Sequence, residues 1–285
     1  MAALDSDGLL DLGDQQLEYR FVGPSPDVAP TLVLLHEGLG CVGLWGDFPD
    51  RLSAATALGV FVYSRAGYGG SSAVLLPRPI TYMHDEAIKT LPRILDAIGF
   101  RSGILVGHSD GASIATIYLG SVQDRRVHGL TLIAPHFFTE EMGLAEIAKA
   151  KIAFQSGTLR EKLARWHKNV DAAFLGWNGV WLDPAFRQWN IREFLHRIEV
   201  PVQILQGSDD QYGTVAQIEA ARTECAGPVE VFMLAGVHHA PHRESADHTV
   251  HAISKFAIRA LRTHDRAIPI APTGPAHEPN RSIAD

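Results

Sequence analysis

Short apolar runs alternate with longer amphipathic segments along most of this 285-residue chain, and that alternation restricts the fold more than any other feature. The runs are rich in β-branched and aromatic residues and are mostly bounded by glycine or proline. Such runs are typical of strands buried on both faces of a parallel sheet. We predict strands at 17–22, 31–35, 60–63, 104–106, 130–133, 202–205 and 229–234. The sequence therefore predicts an α/β fold with a doubly wound, mostly parallel sheet.

The segments between these runs have the spacing of amphipathic helices. Residues 82–98 place apolar side chains along one face at positions 87, 91, 94, 95 and 98. Intervals of three and four residues keep these side chains on one stripe, which would pack against the sheet. We predict helices at 82–98, 111–122, 216–225 and 243–262.

The alternation stops between residues 137 and 198, where no convincing strand appears although aromatic residues are dense. Four of the five tryptophans fall in this window, so it is too apolar for a disordered loop. We predict a helical cap insertion at 137–198, flanked by a core domain formed by 1–136 and 199–262. Residues 263–285 contain four prolines and little apolar periodicity, and we expect a disordered tail there.

Composition and charge exclude several classes of partner. The formal net charge is −7 and the basic residues form no run, which disfavours binding to nucleic acid or to an anionic membrane surface. Two cysteines cannot form a disulfide framework, the first residues resemble no signal peptide, and no apolar run is long enough to span a bilayer. We therefore expect a cytoplasmic protein that acts on a small molecule, with its oligomeric state left open.

The strongest local motif is the G-x-S-x-G pattern of Gly107 to Gly111, centred on Ser109. It follows the apolar run at 104–106 and precedes the predicted helix at 111–122. A sharp strand-to-helix turn presents the serine hydroxyl at the carboxyl edge of the sheet, and flanking glycines avoid collisions in that turn. The motif predicts that Ser109 is a nucleophile.

A nucleophilic serine needs a base and an orienting acid from elsewhere in the chain. Three histidines follow the run at 229–234, namely His238, His239 and His242, and two aspartates, Asp209 and Asp210, follow the run at 202–205. Glu140 and Glu141 follow the run at 130–133 and are less favoured as the acid. Spacing alone leaves these alternatives open.

Two further loops, H-E-G-L-G at 36–40 and S-R-A-G-Y-G-G-S at 64–71, complete a resemblance to the α/β-hydrolase superfamily that covers about residues 10–262. In particular, the chain resembles a serine-hydrolase, esterase-like subgroup that carries HEGLG and GHSDG loops. The resemblance implies that Ser109, Asp210 and His239 form a catalytic triad. It also implies that the backbone N–H groups of Gly38 and Asp110 form the oxyanion hole.

Arg65 and Gly67 would shape the floor of that site by the same resemblance. Glu37 departs from the pattern because the family usually has glycine there. Its side chain could turn outward, bind to the loop or contact substrate.

The expected activity is hydrolysis of a carboxylic ester, thioester or lactone of a small, largely apolar molecule through an acyl-enzyme. Hydrolysis of a carbon–carbon bond in a vinylogous diketone and a non-catalytic ligand-binding role are the alternatives. Candidate substrate-binding residues are Glu37, His136, Trp177 and Trp181. We expect no cofactor, because no dinucleotide-binding glycine motif follows the first strand. We also expect no metal, although the histidine-rich loop at 238–242 with His248 and His251 offers ligands of the right type.

Overall fold

The computed structural model describes residues 5–267, with side chains described up to residue 262. Eight strands form one sheet in the order β1-β2-β4-β3-β5-β6-β7-β8. The first two strands pair antiparallel, β2 also pairs antiparallel with β4, and the remaining pairs are parallel. The strands are β1 (Asp7–Asp11), β2 (Gln16–Val22), β3 (Thr31–Leu35), β4 (Gly59–Tyr63), β5 (Gly103–His108), β6 (Val127–Ile133), β7 (Val202–Gly207) and β8 (Val229–Leu234). The predicted mostly parallel sheet is confirmed.

Besides the helix at Phe48–Thr56, the sequence analysis missed strand β1. Only Leu10 of its five residues is buried, and the strand lies at the edge of the sheet, where it pairs with β2 alone. An exposed edge strand needs no apolar run, so the pattern that revealed the buried strands was absent here.

The helices lie on both faces of the sheet and in the segment before β7. They are α1 (Phe48–Thr56), α2 (Tyr82–Asp85), α3 (Leu91–Ala97), α4 (Asp110–Val122), α5 (Glu141–Gln155), α6 (Thr158–Leu163), α7 (Val170–Trp181), α8 (Val215–Glu224), α9 (Pro241–Glu244) and α10 (Ala246–Ala267). Short 3₁₀ turns occur at Val42–Trp45, Pro184–Gln188 and Arg192–Arg197.

Alternate residues of β3 contribute to two separate cores. Leu32 and Leu34 pack in the cluster that contains Phe48 of α1 and Phe256 of α10. Val33 and Leu35, which point to the other face, pack in the larger cluster with residues of α3, α4 and α8. Because both faces are covered, β3 is apolar at nearly every position, as buried parallel strands require.

The predicted helix at 82–98 contains an irregular turn. Residues Glu86–Thr90 form a π-helical turn between α2 and α3, and Pro92 follows at the start of α3. Proline has no N–H to donate to the carbonyl group four residues earlier, so regular α-helical bonding cannot run through this point. The five apolar residues predicted to share one stripe, Ala87, Leu91, Ile94, Leu95 and Ile98, are all buried.

Residues 137–198, which we call the cap segment, contain α5, α6, α7 and two of the 3₁₀ turns, and add no strand to the sheet. Its aromatic residues pack mainly on one another. Phe154 stacks on Phe174 with 3.8 Å between ring centroids, and Phe186 lies against both Trp181 and Trp189. Trp166 is the exception, because 45% of its surface is exposed.

The last helix differs from the predicted boundaries. α10 is described as far as Ala267, so the first five residues of the predicted disordered tail are helical. The rest of that tail, 268–285, lies outside the described residues. Within the described chain, no helix combines the length and the apolar character that crossing a membrane would need.

Gly111 provides a direct test of how tightly α4 packs against β3. A Cβ atom at this position would lie 2.1 Å from the carbonyl oxygen of Leu35. We expect Gly111→Ala to lower the free energy of unfolding by about 1–3 kcal/mol or more, because backbone atoms must move apart. Urea unfolding followed by circular dichroism measures the change.

Gly179 in α7 is the matched control, because a Cβ there has no atom within 4 Å. Gly179→Ala should raise the free energy of unfolding by about 0.5–1 kcal/mol, since alanine is less flexible in the unfolded chain. Equal stabilities for the two alanine variants would contradict the packing argument.

Candidate active site

Ser109 lies in a strained turn between β5 and α4. Its backbone has φ 53° and ψ −116°, a conformation that residues other than glycine rarely adopt. The turn is held by a hydrogen bond from the Ser109 N–H to the carbonyl of Ile133 on β6. Gly107 permits it, because a Cβ there would come within 2.4 Å of the Gly111 carbonyl oxygen. The turn therefore places the Ser109 side chain at the carboxyl edge of the sheet.

Asp210 and His239 come from the loops that follow β7 and β8. Nδ1 of His239 is 2.9 Å from both carboxylate oxygens of Asp210. The same carboxylate accepts hydrogen bonds from Gln206 Nε2 at 2.7 Å and from the Tyr212 N–H at 2.8 Å. Burial raises the pKa of Asp210, but the hydrogen bond and charge of His239 outweigh it and lower the pKa to about 2. Because this carboxylate stays ionised, it accepts from Nδ1–H and leaves Nε2 of the neutral ring without a proton.

Ser109 and His239 line the same cavity. Within the described chain, the Ser109 hydroxyl makes no hydrogen bond, and it therefore makes none to His239. The structure thus joins His239 to Asp210 and places Ser109 in the same cavity as that histidine.

The competing candidates occupy different environments. His238 is exposed and pairs with Glu244 at 2.8 Å, a contact that raises its pKa. His242 is buried between Trp45 and Phe48, and that burial holds its pKa well below the ordinary histidine value. Asp209 is exposed and accepts a hydrogen bond from Ser208. None of these side chains lines the cavity.

The cavity also contains the two candidate oxyanion donors. Gly38 belongs to the loop after β3, and no hydrogen bond among the described residues uses its N–H. Asp110 is the first residue of α4, where backbone N–H groups have no acceptor within the helix. Both residues line the cavity, so both donors are available at the wall that contains Ser109.

The cavity has a volume of about 110 Å³ and lies between the cap segment and the carboxyl edge of the sheet. All four residues suggested as substrate contacts line it: Glu37, His136, Trp177 and Trp181. The remaining lining residues are Gly38, Leu39, Ser109, Asp110, Glu140, Gly143, Ile147, Tyr212 and His239. The walls are therefore mainly apolar and aromatic, with the side chains of Glu37 and Glu140 and no lysine or arginine among the described lining residues.

His136 is a neutral polar group in this wall. Its side chain is 95% buried, and its ring centroid lies 5.5 Å from that of Trp181 and 5.4 Å from that of His239. Burial and the nearby His239 lower its pKa to about 3. At neutral pH the ring can therefore donate one hydrogen bond and accept another without carrying charge.

The sequence analysis missed a buried polar cluster beneath Ser109. The Asp110 carboxylate accepts hydrogen bonds from Tyr82 Oη at 2.5 Å and from Trp181 Nε1 at 3.2 Å, and lies 3.6 Å from Nη2 of Arg65. Arg65 also donates to the carbonyl groups of His36 at 2.7 Å and Glu37 at 3.0 Å. The sequence analysis had identified Arg65, in the loop at 64–71, as a residue that shapes the floor of the site. Nothing in the sequence indicated that Tyr82 would contact Asp110.

Within the described part of the chain, no group of three or more histidine, cysteine, aspartate or glutamate side chains has an arrangement that could hold a metal ion. His238 and His242 therefore do not form a metal site with their neighbours there.

Comparisons with known proteins agree with this architecture. Residues 32–253 match the alpha/beta hydrolase family. The chain is 36% identical over 117 residues to human (lyso)-N-acylphosphatidylethanolamine lipase, a match that covers 41% of this chain and 33% of the lipase. It is 31% identical over 123 residues to proline iminopeptidase from Lactobacillus delbrueckii subsp. lactis, covering 43% of this chain and 42% of that enzyme.

Similarity to a solved structure extends over more of the chain. The fold superimposes on proline iminopeptidase from Mycobacterium smegmatis with a TM-score of 0.71 at 15% identity, covering 91% of this chain and all of the other. The curated relatives, in contrast, are matched over less than half of their own length. The family match spans most of the sheet and every loop that contributes to the cavity, and the chain therefore belongs to the alpha/beta hydrolase family.

Proposed function

We propose that this protein is a serine hydrolase that cleaves a carboxylic ester, thioester or lactone of a small, largely apolar substrate through an acyl-enzyme. One observation carries the proposal: Ser109 shares a cavity with a histidine whose ring is oriented by Asp210 and with two unoccupied backbone N–H groups. This combination supplies a nucleophile, a base and a site for negative charge, which are the requirements of acyl transfer.

The proposed first step is attack of Ser109 Oγ on the substrate carbonyl carbon. The hydroxyl proton passes to Nε2 of His239, the nitrogen that Asp210 leaves without a proton. The Asp210 carboxylate then stabilises the imidazolium through Nδ1–H. Catalytic hydrogen bonds are often completed only when substrate binds, so the free Ser109 hydroxyl is compatible with this step.

The carbonyl oxygen becomes negatively charged as the Oγ–C bond forms. The N–H groups of Gly38 and Asp110 would bind this oxyanion, and one such donor contributes roughly 3–4 kcal/mol to lowering the barrier. His239 then protonates the leaving group, which departs and leaves the acyl-enzyme. Water, deprotonated by the same histidine, attacks the acyl carbon and restores Ser109.

The walls of the cavity support a neutral substrate. Trp177, Trp181 and Tyr212 provide apolar surface, and the cavity volume of about 110 Å³ limits the substrate to a small molecule. Glu140 accepts hydrogen bonds from Thr214 and Gln217 and forms no ion pair with a described residue. An anionic substrate would therefore meet uncompensated negative charge.

Two of the relatives are a lipase and an iminopeptidase, so amides belong in a substrate panel beside esters. We further infer a cytoplasmic protein that requires no cofactor or metal and acts without a nucleic-acid or membrane partner. The absence of basic runs and the free thiols of Cys41 and Cys225 support that inference.

The first test replaces the proposed nucleophile. We expect Ser109→Ala to lower kcat/KM for p-nitrophenyl acetate by at least about 10³-fold, because the covalent step is lost. Release of p-nitrophenol measures the rate, and a fluorophosphonate label should map to Ser109 in the wild-type protein.

Ser156→Ala is the matched control, because Ser156 is exposed and outside the cavity. This variant should retain wild-type turnover. Equal rates for wild type and Ser109→Ala, or labelling at another residue, would reject the proposed nucleophile.

The second test exploits the two adjacent aspartates. Asp210→Asn should reduce kcat/KM by about 10³–10⁴-fold, because an amide can donate to Nδ1 and thereby favour the wrong tautomer of His239. Asp209→Asn makes the same chemical change at an exposed neighbour and should leave the rate unchanged. A larger loss in the Asp209 variant would assign the acid to Asp209 instead.

The third test concerns substrate charge. We expect p-nitrophenyl hexanoate to be hydrolysed with a kcat/KM at least about tenfold higher than the p-nitrophenyl monoester of adipic acid, since the terminal carboxylate would approach Glu140 at low dielectric. Both acyl chains have six carbons, so the comparison isolates charge. Glu140→Gln should reduce the ratio of kcat/KM between the two esters. Equal kcat/KM values for the two esters in the wild-type protein would contradict the proposed preference for a neutral substrate.

A further inference from the structure

His108, the residue before Ser109, is hydrogen-bonded to the loop that supplies His239. Its Nε2 lies 2.8 Å from the His239 carbonyl oxygen, and its side chain is almost completely buried. A carbonyl oxygen can only accept a hydrogen bond, so Nε2 of His108 must carry a proton.

The other ring nitrogen of His108 faces a carboxylate. Nδ1 lies 3.5 Å from Oε2 of Glu37 and has no hydrogen-bond partner among the described residues. In a neutral ring with its proton on Nε2, the Nδ1 lone pair would point at a negatively charged acceptor. A second proton on Nδ1 changes this repulsion into attraction.

We propose that Glu37 and His108 form a brace that holds Gly38 and His239 in position around Ser109. Each of the three segments that the brace connects is next to a proposed reacting group in the sequence. Glu37 precedes Gly38, His108 precedes Ser109, and the hydrogen bond from His108 ends on the backbone of His239 itself. This inference rests on the proposed function and assigns positioning roles to two residues outside the triad.

The Glu37 carboxylate has a second basic neighbour. The carboxylate of Glu37 also lies 3.8 Å from Nη2 of Arg243, which is partly exposed. Burial opposes ionisation of Glu37, but the contact with His108 and the positive charges of His108 and Arg243 keep its pKa well below the usual value. The rings of His242 and His239 lie 4.7 and 5.2 Å from that of His108. Burial and the neighbouring His108 keep the pKa of His242 well below the usual histidine value.

His108 separates positioning from substrate contact, because it does not line the cavity whereas Glu37 does. We expect His108→Leu to lower kcat by about tenfold to a hundredfold, since small displacements of reacting groups cause losses of this size. The KM for p-nitrophenyl acetate should stay within about threefold of wild type. Labelling of Ser109 by a fluorophosphonate should slow by a similar factor.

Variants at Glu37 test the other half of the brace. Glu37→Ala should produce a similar loss in kcat. Glu37→Gln should recover most of it, because the amide can donate to Nδ1 of a neutral His108 and keep the three loops connected. The double variant Glu37→Ala/His108→Leu should lose no more than either single variant, since residues that act as a unit are not additive.

Glu219→Ala is the control, because Glu219 pairs with Arg222 at 3.6 Å on the exposed surface of α8. It should have wild-type kcat. Circular dichroism and thermal unfolding verify that each variant is folded. If His108→Leu does not fold, the kcat of Glu37→Ala tests the brace by itself.

Wild-type kcat in folded Glu37→Ala, or a loss confined to KM, would overturn the brace. Additive losses in the double variant would also overturn it. These outcomes differ from failure of the proposed function, which would appear as an active Ser109→Ala.

Discussion

The left-handed backbone at Ser109 is the constraint on which the site depends. It can form because Gly107 and Gly111 carry no Cβ, which would otherwise collide with backbone atoms of α4 and β3. Because Gly111 has no Cβ, the start of α4 can also approach the end of β3. Since the loop with Gly38 begins where β3 ends, one close contact between backbones positions both Ser109, the proposed nucleophile, and Gly38, a candidate oxyanion donor. The sheet is thus the rigid frame, and the turn determines which backbone groups face the cavity.

Buried charge beneath this turn is compensated by hydrogen bonds from several elements. Asp110 interacts with Tyr82 at the start of α2, with Trp181 at the end of α7 and with Arg65 after β4. A buried carboxylate without such partners would destabilise the fold by several kcal/mol. Arg65 also binds the carbonyl groups of His36 and Glu37, so the arginine that compensates Asp110 also fixes the loop of Gly38. The contacts of Arg65 therefore both compensate the charge of Asp110 and hold the loop of Gly38 in place.

The sequence was most informative where burial imposes a pattern. Six parallel strands and β2 appear where apolar runs predicted them, whereas β1 exposes most of its residues and gave no such run. The π-helical turn before Pro92 depends on local bonding that periodicity does not reveal. Ser109, Asp210 and His239 follow strand ends, so motif order could identify them as candidates. Contacts such as those of Tyr82 with Asp110, or His108 with His239, join residues 28 and 131 positions apart and need the fold to be seen. Membership of the subgroup defined by the HEGLG and GHSDG loops stays a prediction.

The cap segment contributes more than a wall to the cavity. Trp181 lines the cavity and donates a hydrogen bond to Asp110, whose N–H is a candidate oxyanion donor. Trp177 packs so closely on the Gly38 backbone that a Cβ on Gly38 would lie 2.1 Å from the indole nitrogen. Each tryptophan therefore contacts one of the two residues proposed to bind the oxyanion, and each also lines the cavity open to substrate. Replacing either would change kcat and KM together, because the same ring shapes the cavity and packs against the backbone that would bind the developing charge. In the proposed enzyme, substrate preference would therefore be coupled to the chemistry through α7, and a change in selectivity is expected to accompany a change in rate.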